Sequence, residues 1–347
     1  MLLPPTASNL VRLLVAACAA SFSTASLADH MGPSGFGSGG GLLVLSPDTL
    51  DQGHGGLGFR LTYARPDHRS DAALQALAGD GIHAHNTDDN LNAAIGAAYG
   101  VTHQLTISAE LPYVRRDHLR EAETVDETVD LGNVSGLGDL SILAKYRLVR
   151  SRGIAVALIG GIKLPTGSTH RRSRDGERLE TEHQPGTGSW DPIFGASLGT
   201  TVGLFQVTAS GLYQIAGKGA QETRLGDRLQ GGIALSHRFG VPAHEHPAKS
   251  LNHHHGDELD EGAEAHAQAS WDGFIELSGE WEGRQKVAGD VEQDSGGKSI
   301  WLAPGARFNS ASGFTVAASI GLPLWQDIRD SHPDNRYRVT LSIGRAF

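Results

Sequence analysis

Along most of the chain apolar and polar residues alternate one for one. The last stretch, Asn335–Phe347, shows this most plainly. Tyr337, Val339, Leu341, Ile343 and Phe347 share one parity, and Arg336, Arg338, Thr340, Ser342 and Gly344 share the other. Successive side chains of a strand point to opposite faces, so this reads as a strand with one apolar and one polar face. Arg345 falls on the apolar face, where a long side chain near a membrane edge can reach back to water. The same alternation recurs over Gly56–Ala64, Leu91–Tyr99, Gln104–Tyr113, Leu137–Val149, Ile154–Leu164, Trp190–Leu198, Leu204–Ala216, Leu229–Phe239, Trp271–Trp281, Ile300–Phe308 and Phe314–Trp325. With the terminal stretch, twelve strands are predicted.

The connections alternate as well. Gly100–His103, Arg150–Gly153 and Gly199–Gly203 are tight turns, whereas Arg65–Asn90, Arg115–Gly136 and Pro165–Thr187 are long and polar, with a short helix expected at Asp71–Ala78. A barrel in lipid requires apolar-out, polar-in strands, short periplasmic turns and longer extracellular loops. Tyr63, Tyr99, Tyr113, Trp190, Trp271 and Trp325 fall near strand ends, where interfacial girdles place aromatic rings. A secreted soluble sandwich would share the alternation but not the loop rhythm. The expected fold class is therefore all-β: an antiparallel up-and-down transmembrane β-barrel of about 12 strands over residues 54–347.

Composition adds a location. Arg12, the apolar run Leu13–Ala20 and the small-x-small site Ser26-Leu27-Ala28 make residues 1–28 a signal peptide, so the mature chain is expected to begin at Asp29 in an outer membrane. The sole cysteine, Cys18, lies in that leader, which excludes disulfides and thiol chemistry from the mature chain. The formal net charge is −10, from 29 Lys and Arg against 39 Asp and Glu, which argues against nucleic acid as a partner. Residues 29–53 are glycine-rich and read as an N-terminal periplasmic segment or a plug for the lumen.

Three short stretches carry a family resemblance: Gly136-Leu-Gly-Asp-Leu-Ser141, Lys163-Leu-Pro-Thr-Gly-Ser168 and Pro185-Gly-Thr-Gly-Ser-Trp-Asp191. They resemble those of the bacterial outer-membrane family known as the MetA-pathway of phenol degradation family. The resemblance implies an outer-membrane channel or transporter for small aromatic or other hydrophobic compounds, and it brings no catalytic residues. The C-terminal strand ending in Phe347 also resembles that of bacterial outer-membrane barrels. That likeness implies outer-membrane lipid and the barrel-assembly machinery as partners.

Two sets of residues could carry chemistry. The first is the stretch 240–270, which holds His244, His246, His253, His254, His255 and His266 among six acidic residues, on the side where short turns are the rule. Neutral imidazoles with carboxylates suit a divalent transition metal (Zn, Cu, Ni or Co), although nothing in the chain requires a cofactor. The competing reading is an acidic loop whose histidines are incidental. On the metal reading, the chain is a barrel that takes part in metal efflux or buffering.

The second set is the charges that parity turns inward. Arg60, Glu110 and Asp139 come from the first half, followed by Lys145, Arg147, Lys163 and Asp191. Arg238, Glu276, Glu280, Arg307, Arg336 and Arg338 come from the second half. They can pair across the lumen and seal it, or line a narrow polar path. Glu276, Glu280 and Glu282 form an acidic stripe that would bias such a path towards cations. An enzyme is not expected: Ser236 and His237 are neighbours on a strand and face opposite sides, so they cannot pair as nucleophile and base.

Overall fold

The computed structural model describes residues 41–122, 124–151, 153–239, 269–329 and 331–347. The expected leader and the bulk of the histidine-rich stretch lie outside them. Twelve strands make the barrel. They are β1 (Gly55–Pro66), β2 (Asp89–Thr102), β3 (Leu105–Ala122), β4 (Ser141–Ser151), β5 (Ile154–Lys163) and β6 (Asp191–Val202), followed by β7 (Phe205–Gln214), β8 (Arg228–Phe239), β9 (Ser270–Glu282), β10 (Gly297–Asn309), β11 (Phe314–Asp327) and β12 (Asn335–Ala346). Each pairs antiparallel with its sequence neighbours. β12 pairs back onto β1, from Gly56↔Ala346 to Pro66↔Asn335, so the sheet closes without an edge. Closure lets every strand find partners for its backbone groups without water, which a lipid environment demands.

Face by face, the alternation decides the packing. In β9, Ser270, Asp272, Phe274, Glu276, Ser278, Glu280 and Glu282 are buried inside, while Trp271, Ile275 and Leu277 face outward and are exposed. Outward Leu57, Phe59, Ile95, Leu158, Phe194, Ile320, Leu341 and Ile343 continue the apolar belt around the barrel. Arg345 is on this outer face near the end of β12, with its guanidinium 4.8 Å from the Phe314 ring.

The structure adds strands where the sequence reading has loop, among them a small three-stranded sheet of Thr223–Arg224, Lys286–Val287 and Asp290–Val291. β3 runs on past Tyr113 to Ala122 and pairs with a further strand, Thr128–Leu137, within what the sequence suggests is loop. The single strand expected over Leu137–Val149 is accordingly broken at 138–140. Pro112, which has no N–H to give a ladder, stands opposite the break, and Gly138 N–H donates to its carbonyl at 2.8 Å.

The long connections fold into an ordered cap over one end of the barrel. Helix α1 (Asp71–Gly79) starts at Ser70, whose side chain accepts from Ala73 N–H. α1 buries Leu74 against Ala84 and Ala122. Leu119, Val134 and Leu179 form a second cluster between the β3 extension and the β5–β6 loop. The tight turns, Gly55 and Phe347 share the opposite end, where Gly55 N–H donates to Phe347 O at 2.8 Å.

Candidate functional site

The described part of the N-terminal segment lies in the lumen. Its backbone groups are satisfied by side chains of the wall rather than by a strand partner. Glu276 Oε2 accepts from Leu42 N–H (2.7 Å) and Leu43 N–H (3.1 Å), and Arg307 donates to Gly41 O (3.0 Å). Ser210 Oγ accepts from Leu45 N–H (2.9 Å), Lys145 Nζ donates to Ser46 O (2.9 Å) and Thr106 Oγ1 accepts from Leu50 N–H (2.8 Å). Leu45 is buried in a cluster with Leu143, Ile159, Ile193 and Leu212, the apolar inward positions of β4 to β7. The segment thus crosses from the β9–β10 wall to the β3–β4 wall. It leaves past Gly100, where a side chain is impossible because a Cβ would stand 2.1 Å from Asp51 O.

Around the segment the inward charges are paired. Arg60 meets Glu110 at 2.7 Å, Arg338 meets Glu280 at 2.7 Å and Arg228 meets Glu282 at 3.0 Å. Arg338 also lies 4.3 Å from the face of Trp301, a fully buried aromatic residue inside the barrel that the parity of β10 turns inward. Of the acidic stripe, Glu280 and Glu282 are thus each paired with an arginine, while Glu276 holds backbone N–H groups of the lumen segment. Between the segment and the wall of β1, β2 and β10–β12, a cavity of about 180 Å³ remains. It is lined by Leu42, Leu50, Ala98, Ala317, Arg60 and Arg307, among others.

The three glycine-bearing stretches meet at one point of the wall. Asp139 Oδ1 accepts from Gly167 N–H, and Oδ2 from Thr187 N–H, both at 2.8 Å. Lys163 Nζ lies 3.2 Å from Asp139 and 2.7 Å from Asp191, and it also bonds Thr187 Oγ1. Gly167 and Gly186 stand back to back, with a Cβ on either falling within 2.6 Å of the other's backbone. Residues far apart in sequence thus build one buried knot beside the break before β4.

Not every residue that parity turns inward lines the lumen. Arg147 donates to His103 O at the tight-turn rim, Arg238 pairs with Asp272 while half exposed, and Arg336 pairs with Asp67 on the exposed cap side. Parity sets the direction of a side chain but not its height, and near strand ends the wall no longer encloses it. His244, His246, His253, His254, His255 and His266 lie outside the described residues. Ser236 is buried and His237 lies on the outer half beside Phe205 and Phe239, its Nδ1 2.8 Å from Leu204 O.

A further cluster sits in the cap. His85, His183 and Glu182 are buried, and His332 is beside them. His85 Nε2 lies 2.8 Å from Glu182 Oε1, and the His85 ring meets those of His183 and His332 edge-on at 4.3 and 4.8 Å. Burial, with His183 next to it, pushes the His85 imidazole down to about 3, so it is neutral at neutral pH. The three histidines come from three different loops and share no local spacing, so no motif in the sequence marks them.

The fold is similar to that of the COG4313 outer membrane channel from Pseudomonas putida F1, with 17% identity and a TM-score of 0.56 over 86% of this chain and 97% of that one. Looser likenesses are to LpxR from Salmonella typhimurium (13% identity, TM-score 0.40, covering 83% of this chain and 99% of that one) and to the Pseudomonas putida toluene transporter TodX (9%, 0.37, 86% and 90%). What is shared with the first at that identity is the barrel architecture. A comparison with curated protein sequences finds no significant match. The family described as "Putative MetA-pathway of phenol degradation" matches residues 69–245, about half of the chain and a span that holds the whole Asp139 knot; the protein belongs to that family.

Proposed function

We propose that the protein is a passive outer-membrane channel for small aromatic or hydrophobic compounds, with residues 41–50 as a plug that leaves room for one such molecule at a time. The observation that carries this reading is the cavity of about 180 Å³ between the segment and the wall. An apolar cavity of roughly 150 Å³ takes up benzene, so the space suits a single ring. Leu42, Leu50, Ala98 and Ala317 offer apolar contact, while Arg60 and Arg307 offer donors to a phenolic oxygen. Membership of a family described by phenol degradation agrees with that size and chemistry.

The test is single-channel recording in planar bilayers, with and without phenolic compounds. Full-length protein should show a small conductance that millimolar phenolics reduce by occupying the cavity. Replacing Glu276 by Ala removes the acceptor that holds Leu42 and Leu43, and the conductance should rise. Absence of current from both proteins would sink the channel reading and leave a sealed structural barrel, for which the paired lumen charges would be the explanation.

A further inference from the structure

The cap sets imidazoles from two loops against His85 of a third. His85 comes from the β1–β2 loop, His183 from the β5–β6 loop and His332 from the β11–β12 loop. A backbone bond ties two of these loops together, His85 N–H donating to Ser331 O at 2.9 Å, and the Arg116 side chain of β3 holds the third by donating to His183 O at 2.6 Å. The potential ligand atoms of His85, Glu182 and His332 all lie within 4.8 Å of one another, and so do those of His85, Glu121 and His183. A tetrahedral zinc ion with ligand bonds of about 2.0–2.1 Å needs its donors roughly 3.3 Å apart, so small side-chain rotations would close either set. A cavity of about 20 Å³ adjoins the cluster, lined by His85, His183 and His332, and it has room for one ion-sized body.

The donor chemistry points the same way. A neutral imidazole has one donor and one acceptor nitrogen, and His85 Nδ1 is buried with no hydrogen-bond partner among the described residues. Glu182 is already oriented, because Gln285 donates to its Oε2 at 2.6 Å. Metal sites hold their carboxylates in this manner through an outer hydrogen bond. Imidazole nitrogen with carboxylate oxygen is a donor set for Zn²⁺ and its neighbours, not for Ca²⁺ or Mg²⁺. We propose that His85, His183, His332 and Glu182, with Glu121 at the edge, bind one divalent transition-metal ion, and that the ion staples three extracellular loops over the mouth of the barrel. This site uses no residue of the histidine-rich stretch 240–270 and does not depend on the channel reading.

The test uses full-length protein purified without an affinity tag and stripped of metal. The background carries His244, His246, His253, His254, His255 and His266 all replaced by Asn, so that the stretch 240–270 contributes no imidazole. Calorimetric titration of that protein with Zn²⁺ should show one equivalent bound. Adding His85→Asn and His183→Asn should weaken binding by at least about a hundred-fold, more than loss of an outer partner alone costs. Correct folding of each variant is read from its heat-modifiable electrophoretic mobility. If the double variant does not fold, X-ray absorption at the zinc edge on the parent protein decides, and several imidazoles in a shell near 2.0–2.1 Å are expected. No binding by the parent, binding unchanged in a folded double variant, or an absorption spectrum without imidazole would each overturn the proposal.

Discussion

At the residue scale, buried charge is what disciplines the interior. Arg338 is 2% exposed, bonded to Glu280 and Ser278 and laid over Trp301. Arg338→Ala would leave Glu280 buried and without its cation, and such half-broken pairs cost about 3–5 kcal/mol. The variant barrel should therefore unfold at distinctly lower temperature in a heat-modifiability assay. Arg338→Lys should recover part of the loss, since lysine keeps the charge but not the planar stacking. Glu276 acts differently, because its oxygen holds two backbone N–H groups of the lumen segment. Each hydrogen bond to a charged acceptor is worth about 1.5–3 kcal/mol, so Glu276→Ala should make residues 41–50 accessible to added protease. In the cap, burial pulls the Asp88 carboxyl up, but its hydrogen bond to His118 and the charge of Arg120 leave it below its ordinary value. A carboxyl whose folded value is depressed contributes stability above its unfolded value, about 4, and loses it as pH falls through the folded one. Hydrogen exchange around His118 should thus quicken below about pH 4, and Asp88→Asn should remove that step.

At the element scale, each barrel strand carries its own instructions for which face meets lipid. Leu158 lies mid-strand in β5 and is 50% exposed on the outer face. Leu158→Arg should destabilise the folded barrel by about 2–4 kcal/mol if the residue lies near the bilayer midplane, measured by urea unfolding in liposomes. The wall also has one weak place, the break at 138–140, which the knot at Asp139 braces. Gly167→Ala or Gly186→Ala puts a Cβ within 2.6 Å of the opposing backbone. Either change should abolish the heat-modifiable band, whereas Gly160→Ala, with open space around the added carbon, should not. Alternation marked every barrel strand because its cause, lipid on one side and a polar lumen on the other, acts on every second residue. It did not mark Thr128–Leu137 or the extension of β3. Those strands lie in the cap, where neighbours and not lipid decide which faces are buried.

At the scale of the whole molecule, the lumen segment sits towards the tight-turn end among paired charges, and the loop cap lies over the other end. The plug reading makes a direct prediction: deletion of residues 29–53 should raise flux of phenolic solutes into proteoliposomes. If flux is unchanged by the deletion, the segment does not obstruct the lumen.

What the sequence determined by itself is the kind of molecule. Period-two patterning and the rhythm of short and long connections specify a closed barrel of about twelve strands, because lipid on one side and a polar lumen on the other act on every second residue. The three glycine stretches could be seen in the sequence as a signature, but their meeting at Asp139 could not. Contacts between residues in different loops leave no periodic trace along the chain. The same holds for His85, His183 and His332, which come from three loops far apart in sequence, and for Leu42 and Leu43 on Glu276. Only closure of the barrel brings these groups together, since it sets the height of each side chain in the lumen and decides which loops share the mouth.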